Sequence, residues 1–332
     1  MTSFLLRRLL AAVPTLVGIT ALAFAILNLL PDDPLIAWSP GGATASAEAL
    51  ARLRAELRVD HGPVERYLDW GLALTRGDLG TSLRDGRPVG RVLADALPWT
   101  VLLNLCALVM IYALAVPFGL LGASAPGSSL DRLGSRVLLA VYALPSFAAA
   151  LLLQEFVAVR LGWLPLQGVV GRQAGSETAG LLSHALDLAR HLVLPTLCLA
   201  LAGWAFVARY SRAACRSVSG REFLAVARAK GLSRSRAYYH VAANAAVPLI
   251  TLLAGIVPSL VGGSLIVEQA FSWPGLGRLY VASIEGRDYP VVLGLTLLGA
   301  LLVLAGQLLA DLLYLLVDPR LRDELLMDGL DA

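Results

Sequence analysis

A chain of 332 residues that is 57% hydrophobic, only 15% charged, and has a mean hydropathy of +0.71 with a net charge of +3 does not have the make-up of an ordinary soluble domain, where about a quarter of residues are charged. Either its core is unusually large or its solvent is a bilayer, and nothing in the balance of charge calls for a nucleic-acid partner. Run length decides between the two, because a membrane helix needs about 20 mostly apolar residues to cross about 30 Å of hydrocarbon.

Six such runs follow one another. The first covers 9–30, just after Arg7 and Arg8. Its basic flank and the Ala21-Leu22-Ala23 triplet also suit a signal peptide, but the run is longer than the roughly 7–15 residues of a signal core, which favours an uncleaved span. Residues 31–96 form a mixed-charge segment with turn signals at Pro40-Gly41-Gly42 and His61-Gly62-Pro63, and an amphipathic helix is expected over 46–59, with Leu50, Leu53 and Leu57 on one face. The second run is 97–122 and the third 137–159, with Gln154 and Glu155 near its end; the fourth is 192–208, the fifth 245–267 and the sixth 291–317. Backbone amides in lipid must bond within their own segment, so these runs are expected to be helices. The fold expected is an all-α integral membrane protein, one domain over 1–332, with a basic loop over 213–240, a second external loop over 268–289 and a tail over 318–332.

Sidedness follows from the basic residues of short loops, which mark the cytoplasmic face. Residues 209–240 hold Arg209, Arg212, Arg216, Arg221, Arg228, Lys230, Arg234 and Arg236 against one acid, Glu222. In 268–289, Arg278 and Arg287 are outnumbered by Glu268, Glu285 and Asp288. The first loop is therefore expected inside and the second outside, which places both termini and Arg320 and Arg322 inside and the 31–96 segment outside. Cys106 and Cys198 lie in runs and Cys215 just past one, so no disulfide framework is expected. The four histidines have no metal-ligand spacing.

The basic loop has its own pattern. Glu222 to Lys230 is rich in helix formers, with Phe223, Val226 and Ala227 on one stripe and Ala225 and Ala229 beside it. Gly231 suits a left-handed helix end, and Ser233 suits the cap of a second short helix. A helix this short is marginal alone, so it must dock on its own bundle, on anionic lipid or on a partner protein. The small residues favour a protein surface.

Ala-Arg-Ala-Lys-Gly-Leu-Ser at 227–233 resembles the cytoplasmic signature loop of the inner-membrane permeases of binding-protein-dependent ABC importers. That family's pattern is Glu-Ala-Ala, three residues, then Gly; here Ala225, Val226 and Ala227 stand in the triplet, so Ala227 and Gly231 match and the acid is missing. FLLRRLLAAVPTLVGIT at 4–20, LLPDDP at 29–34, GDLGTSLRDGRPV at 77–89, FSWPGLGRLY at 271–280, RDYPVV at 287–292 and DLLYLLVDPRLR at 311–322 are similar to the dipeptide/oligopeptide/nickel branch, in order and along nearly the whole chain.

The resemblance implies the six-span bundle of a type I importer permease in a bacterial inner membrane. It would be paired with a second homologous permease, two cytoplasmic ATPase subunits and an external solute-binding protein. Glu222, Ala225, Val226, Ala227, Lys230, Gly231, Leu232 and Ser233 would then form the coupling helix that seats on the ATPase. Phe271, Trp273, Pro274, Gly275, Gly277 and Arg278 would form an outer gate or a contact for the binding protein; Trp273 and Tyr280 also suit an interfacial aromatic belt. This chain would carry no catalytic residue, metal or cofactor, ATP and Mg being held by the partners. One part is independent of the resemblance. A phosphate-binding P-loop needs Gly-Lys-Ser/Thr, and the single lysine, Lys230, follows Ala229. An ion-coupled carrier would keep ionisable groups mid-membrane, where this chain is nearly bare. A membrane enzyme finds no Ser/His/Asp set. Cargo is left open between peptides, nickel, glutathione and other small solutes. Asn28, Asn104 and Gln154 are the polar residues in the runs, suited to lining a path or to bonding helices together.

Overall fold

The computed structural model describes residues 2–29, 62–124, 126–170, 180–219 and 264–317, with the single positions 236, 249 and 252. Among them the chain is helical, with one isolated backbone bridge, between Thr81 and Pro88. The helices are α1 (Thr2–Leu29), α2 (Pro63–Leu74), α3 (Val89–Ser124), α4 (Ser129–Ala143), α5 (Ser146–Leu153), a π-helical continuation over Gln154–Arg160, α6 (Leu181–Ser219), α7 (Leu276–Glu285) and α8 (Tyr289–Val317). Of these, α1, α3, α6 and α8 are long and apolar enough to cross a membrane, and α4 with α5 makes a fifth candidate bent by 102°. The expected fifth run, 245–267, lies almost wholly outside the described residues, as do the 46–59 helix, the residues of the basic loop beyond 219 apart from Arg236, and the 318–332 tail.

The bend within the expected 137–159 run has a local cause. Pro145 follows Leu144, and a proline pushes its predecessor out of the helical region. Leu144 sits at φ −79°, ψ 117°, ending α4. Other prolines are carried inside long helices: Pro14 in α1 and Pro195 in α6. The fourth run also extends well beyond its apolar stretch in both directions. Asp187, Arg190 and His191 lengthen α6 before the expected start, and Arg209 to Ser219 continue it after the expected end. Hydropathy marks the part of a helix that meets lipid, not where its hydrogen bonding stops.

The chain divides into two compact units, Met1–Thr100 with Pro274–Leu304 and Val101–Trp273 with Ala305–Ala332. In the first, Val89, Val92, Leu93 and Ala96 of α3 pack with Leu276 of α7 and with Val291 and Leu295 of α8. Gly294 makes this close approach possible, since a β-carbon there would stand 2.7 Å from Val89 Cγ1. α2 lies along α1. The Tyr67 hydroxyl and Thr20 Oγ1 are 2.9 Å apart, Phe24 meets the Tyr67 ring edge-on at 5.5 Å, and Arg66 donates to Asn28 Oδ1. Thr20 falls near the middle of the apolar 10–29 stretch, so α2, from the expected external segment, lies along the side of a helix long enough to span a membrane. The same contacts account for Asn28.

In the second unit, Leu103, Ala107, Ile111 and Ala115 recur every fourth residue along α3 and are buried, while Val101, Leu105 and Val109 are exposed. That is the stripe of a helix with one protein face and one lipid face. The buried stripe meets α6. A β-carbon on Gly203 would touch Ile111 Cδ1 at 2.4 Å, and one on Gly119 would lie 2.3 Å from Ser211 Oγ. Both pairs have the same difference in residue number, 203 − 111 = 211 − 119 = 92, so α3 and α6 run parallel here. Small residues at the seam let backbones approach, the usual device of helix pairs in lipid.

Candidate functional site

Three clusters carry the polar chemistry among the described residues. The first is built from two sequence motifs of the first unit. In GDLGTSLRDGRPV, Asp78 Oδ1 accepts from Gly80 N at 2.8 Å, and Ser82 N donates to Arg87 O at 2.9 Å, closing a tight loop. Gly80 and Gly86 have φ of +85° and +66°, which glycine alone adopts without strain. The loop is held by Asp288 of the RDYPVV motif. Its carboxylate accepts the Ser82 hydroxyl at 2.5 Å, Leu83 N at 3.1 Å and Arg84 N at 3.4 Å. Asp288 is 2% exposed and Ser82 4%, so the charge is withdrawn from water and stabilised by converging donors.

The second cluster surrounds the expected outer loop. Gln154, 8% exposed, donates from Nε2 to Ala270 O at 2.9 Å. Gly168 N donates to Phe271 O at 2.9 Å. The segment after the π-helical turn is thereby stitched to residues 270 and 271, and Gln154 serves to hold segments together. Trp273 N closes a turn onto Glu268 O at 2.8 Å, with Ser272 at a positive φ of 52°. In the first unit, Thr100 Oγ1 accepts Leu276 N at 2.7 Å and so satisfies an open donor at the start of α7. Of the residues expected at an outer gate or docking contact, Phe271, Trp273, Gly275 and Gly277 are buried, Pro274 is half-buried and Arg278 is exposed. Trp273 is fully buried, so it does not stand in an interfacial aromatic belt; the turn onto Glu268 directs its ring into the protein.

The third cluster lies where α3, α4 and α6 converge. Ser128 Oγ accepts Asp131 N at 3.1 Å and caps α4. The Asp131 carboxylate accepts Gly127 N at 2.9 Å, an Arg216 N–H at 3.0 Å and an Arg212 N–H. Arg212 also donates to Ser135 Oγ. The Asp131 side chain is 3% exposed. In the sequence, Arg212 and Arg216 speak only to sidedness, and Asp131 does not stand out. The capping pattern Ser128-Ser129-Leu130-Asp131 was the available signal, and it marks a helix start without revealing the arginines.

The expected coupling residues Glu222, Ala225, Val226, Ala227, Lys230, Gly231, Leu232 and Ser233 all lie outside the described residues. Asn104 Oδ1 and Thr196 Oγ1 are buried without a hydrogen-bond partner among the described residues. No group of three metal-ligating side chains gathers among those residues, and Cys106, Cys198 and Cys215 form no disulfide with one another.

Helices long and apolar enough to cross a membrane, tied together by buried polar clusters, define an integral-membrane helical protein. The matches agree along the whole chain: the model for the binding-protein-dependent transport system inner membrane component covers 115–323, and that for the N-terminal part of such components covers 1–104. The chain belongs to this family of ABC-importer permeases, within the dipeptide/oligopeptide/nickel branch. It is 37% identical over 324 residues to the oligopeptide transport system permease protein AppB of Bacillus subtilis, covering 97% of this chain and 99% of the relative. It is 34% identical over 337 residues to the dipeptide transport system permease protein DppB of Escherichia coli, with the same coverage. The glutathione transport system permease protein GsiC of Pectobacterium atrosepticum is 33% identical over 323 residues, again covering 97% and 99%.

Proposed function

We propose that this chain forms half of the translocation path of an ATP-driven importer that takes up di- or oligopeptides delivered by an extracytoplasmic binding protein. The observation that carries this is the end-to-end match to permeases named for oligopeptide and dipeptide transport. The other half is a second, homologous permease. Energy comes from two cytoplasmic ATPase chains holding ATP and Mg, since the chain's own lysine lies in no P-loop. Both termini face the cytoplasm and six spans cross the membrane, with 245–267 among them. The 222–233 stretch seats on an ATPase and transmits its closure to the spans; among the six outer-loop residues expected to gate or dock, Arg278 and Pro274 are those with surface to offer a binding protein. The match to a glutathione permease favours a second reading in which the solute is glutathione, itself a small peptide.

The test is reconstitution. The chain is purified with its co-assembling permease and ATPases, placed in liposomes with the binding protein, and assayed with labelled dipeptides, longer peptides and glutathione. ATP-dependent peptide uptake is expected, with a cysteine at Ala227 crosslinking to the ATPase. Uptake by the chain alone under an ion gradient would overturn the proposal, and uptake of glutathione without other peptides would select the second reading.

A further inference from the structure

We propose that Asp131 is a positioning residue for transport: its carboxylate fixes the root of the coupling loop to α3 and α4, so that movement of the loop is passed to the spans. The proposal rests on the function proposed above, and its footing is the geometry of the second unit. Arg216 lies within the 213–240 segment read as the coupling loop and Arg212 immediately before it, both in the last turns of α6. Both guanidinium groups bind one carboxylate. That carboxylate is buried and is also held by a backbone N–H of its own turn, from Gly127. Arg212 is 20% exposed and the Asp131 side chain 3%, so this pair is largely withdrawn from solvent screening, whereas Arg216, 40% exposed, joins it from the surface.

The third helix is brought in by glycine. A β-carbon on Gly122 of α3 would stand 3.1 Å from Asp131 Oδ1 and 3.3 Å from Arg212 Cδ, and one on Gly119 would lie 2.7 Å from the backbone nitrogen of Arg212. The close fit means that Arg212 cannot shift without displacing α3 or breaking its bond to Asp131. Packed interfaces of this kind respond as units and do not deform smoothly. The charge count points the same way: two arginines face one acid, so removing the acid leaves two cations clustered at a partly buried joint, and the root of the loop is pushed off α4.

The experiment uses the complete complex in proteoliposomes and reads solute taken up per ATP hydrolysed. Asp131→Asn is expected to lower that ratio about tenfold, within the range of coupling between linked sites, while the complex still assembles and hydrolyses ATP. Asp131→Glu, which keeps the charge, is expected to restore most of the ratio. A purely structural role would lower the yield of complex and leave the ratio per assembled complex unchanged, and that result overturns the proposal. If Asp131→Asn fails to assemble, Arg212→Lys is read instead, since it keeps the cation but gives up the two-point hold on Asp131 and Ser135; an unchanged ratio there overturns the proposal equally. A wild-type complex with no ATP-dependent uptake would mark failure of the proposed function itself, a distinguishable outcome.

Discussion

Asp288 accepts the hydroxyl of Ser82 across 206 residues of sequence, and both are buried. This contact, with the N–H groups of Leu83 and Arg84 on the same carboxylate, makes one structure of two motifs. Asp288→Ala leaves the Ser82 hydroxyl and the Leu83 amide without this acceptor, while Arg84 N keeps Ser82 Oγ at 3.2 Å, and each buried unsatisfied group costs about 1–3 kcal/mol. A loss of about 3 kcal/mol is expected, against about 1 kcal/mol for Ser82→Ala. The double variant is expected to fall short of the sum, because the two share a contact. Thermal unfolding of the purified complex in detergent measures all three, and strict additivity would argue against the contact.

Gly119 and Gly203 both line the seam between α3 and α6, but their neighbours yield differently. A β-carbon at 203 meets the end of the flexible Ile111 side chain at 2.4 Å, while one at 119 meets the Arg212 backbone nitrogen at 2.7 Å as well as Ser211. Ile111 can change rotamer; a backbone can move only with its helix. Gly203→Ala is therefore expected to cost under about 1.5 kcal/mol and Gly119→Ala about 3 kcal/mol, the upper range for overpacking. Adding Ser211→Gly to Gly119→Ala should recover only part of the loss. Unfolding midpoints of the three variants decide the matter, and equal costs at 119 and 203 would contradict it.

The 268–289 loop is expected to split under mutation. Phe271 and Trp273 are 1% and 0% exposed, and truncating buried aromatics costs about 3–5 kcal/mol. Phe271→Ala and Trp273→Ala are expected to reduce the yield of folded permease. Arg278→Ala, on an exposed side chain, should leave yield unchanged and raise the concentration of binding protein needed for half-maximal stimulation of ATP hydrolysis. A binding defect in Trp273→Ala at normal yield would reverse this assignment.

How far the sequence reached can be judged at particular residues. The membrane class and the long helices were legible because lipid imposes a coarse requirement, apolar length, that a run such as 97–122 displays without reference to anything else in the chain. The break at Leu144–Pro145 was written in the sequence but is not separable by pattern from Pro195, which α6 absorbs; whether a proline breaks a helix depends on what surrounds it. Asp288 with Ser82 and Asp131 with Arg212 were not legible. Each pair joins residues far apart in sequence, and a lone aspartate in a loop, as Asp288, or in a helix's first turn, as Asp131, carries no local sign of its partner. Motif likeness marked GDLGTSLRDGRPV and RDYPVV as separate signatures, while the contact that makes them one appears only in three dimensions.

Gly231 tests the coupling role directly. Its expected task is to end a short helix in the left-handed conformation, where L-residues other than Asn and Asp pay about 1–2 kcal/mol. Substitutions should therefore rank by backbone tolerance more than by size. Gly231→Asn is expected to keep most uptake, Gly231→Ala to lose part, and Gly231→Ile, bulky and β-branched, to lose nearly all. In each case the protein should insert normally and ATP hydrolysis by the assembled complex should persist, because the proposed function assigns the nucleotide site to other chains. Uptake per ATP hydrolysed, measured across the series, separates this from simple misfolding, which would lower uptake and hydrolysis together. Equal transport by the Asn and Ile variants would mean that a left-handed break at 231 is not what the position supplies, and the transmission element would have to be sought elsewhere in the basic loop.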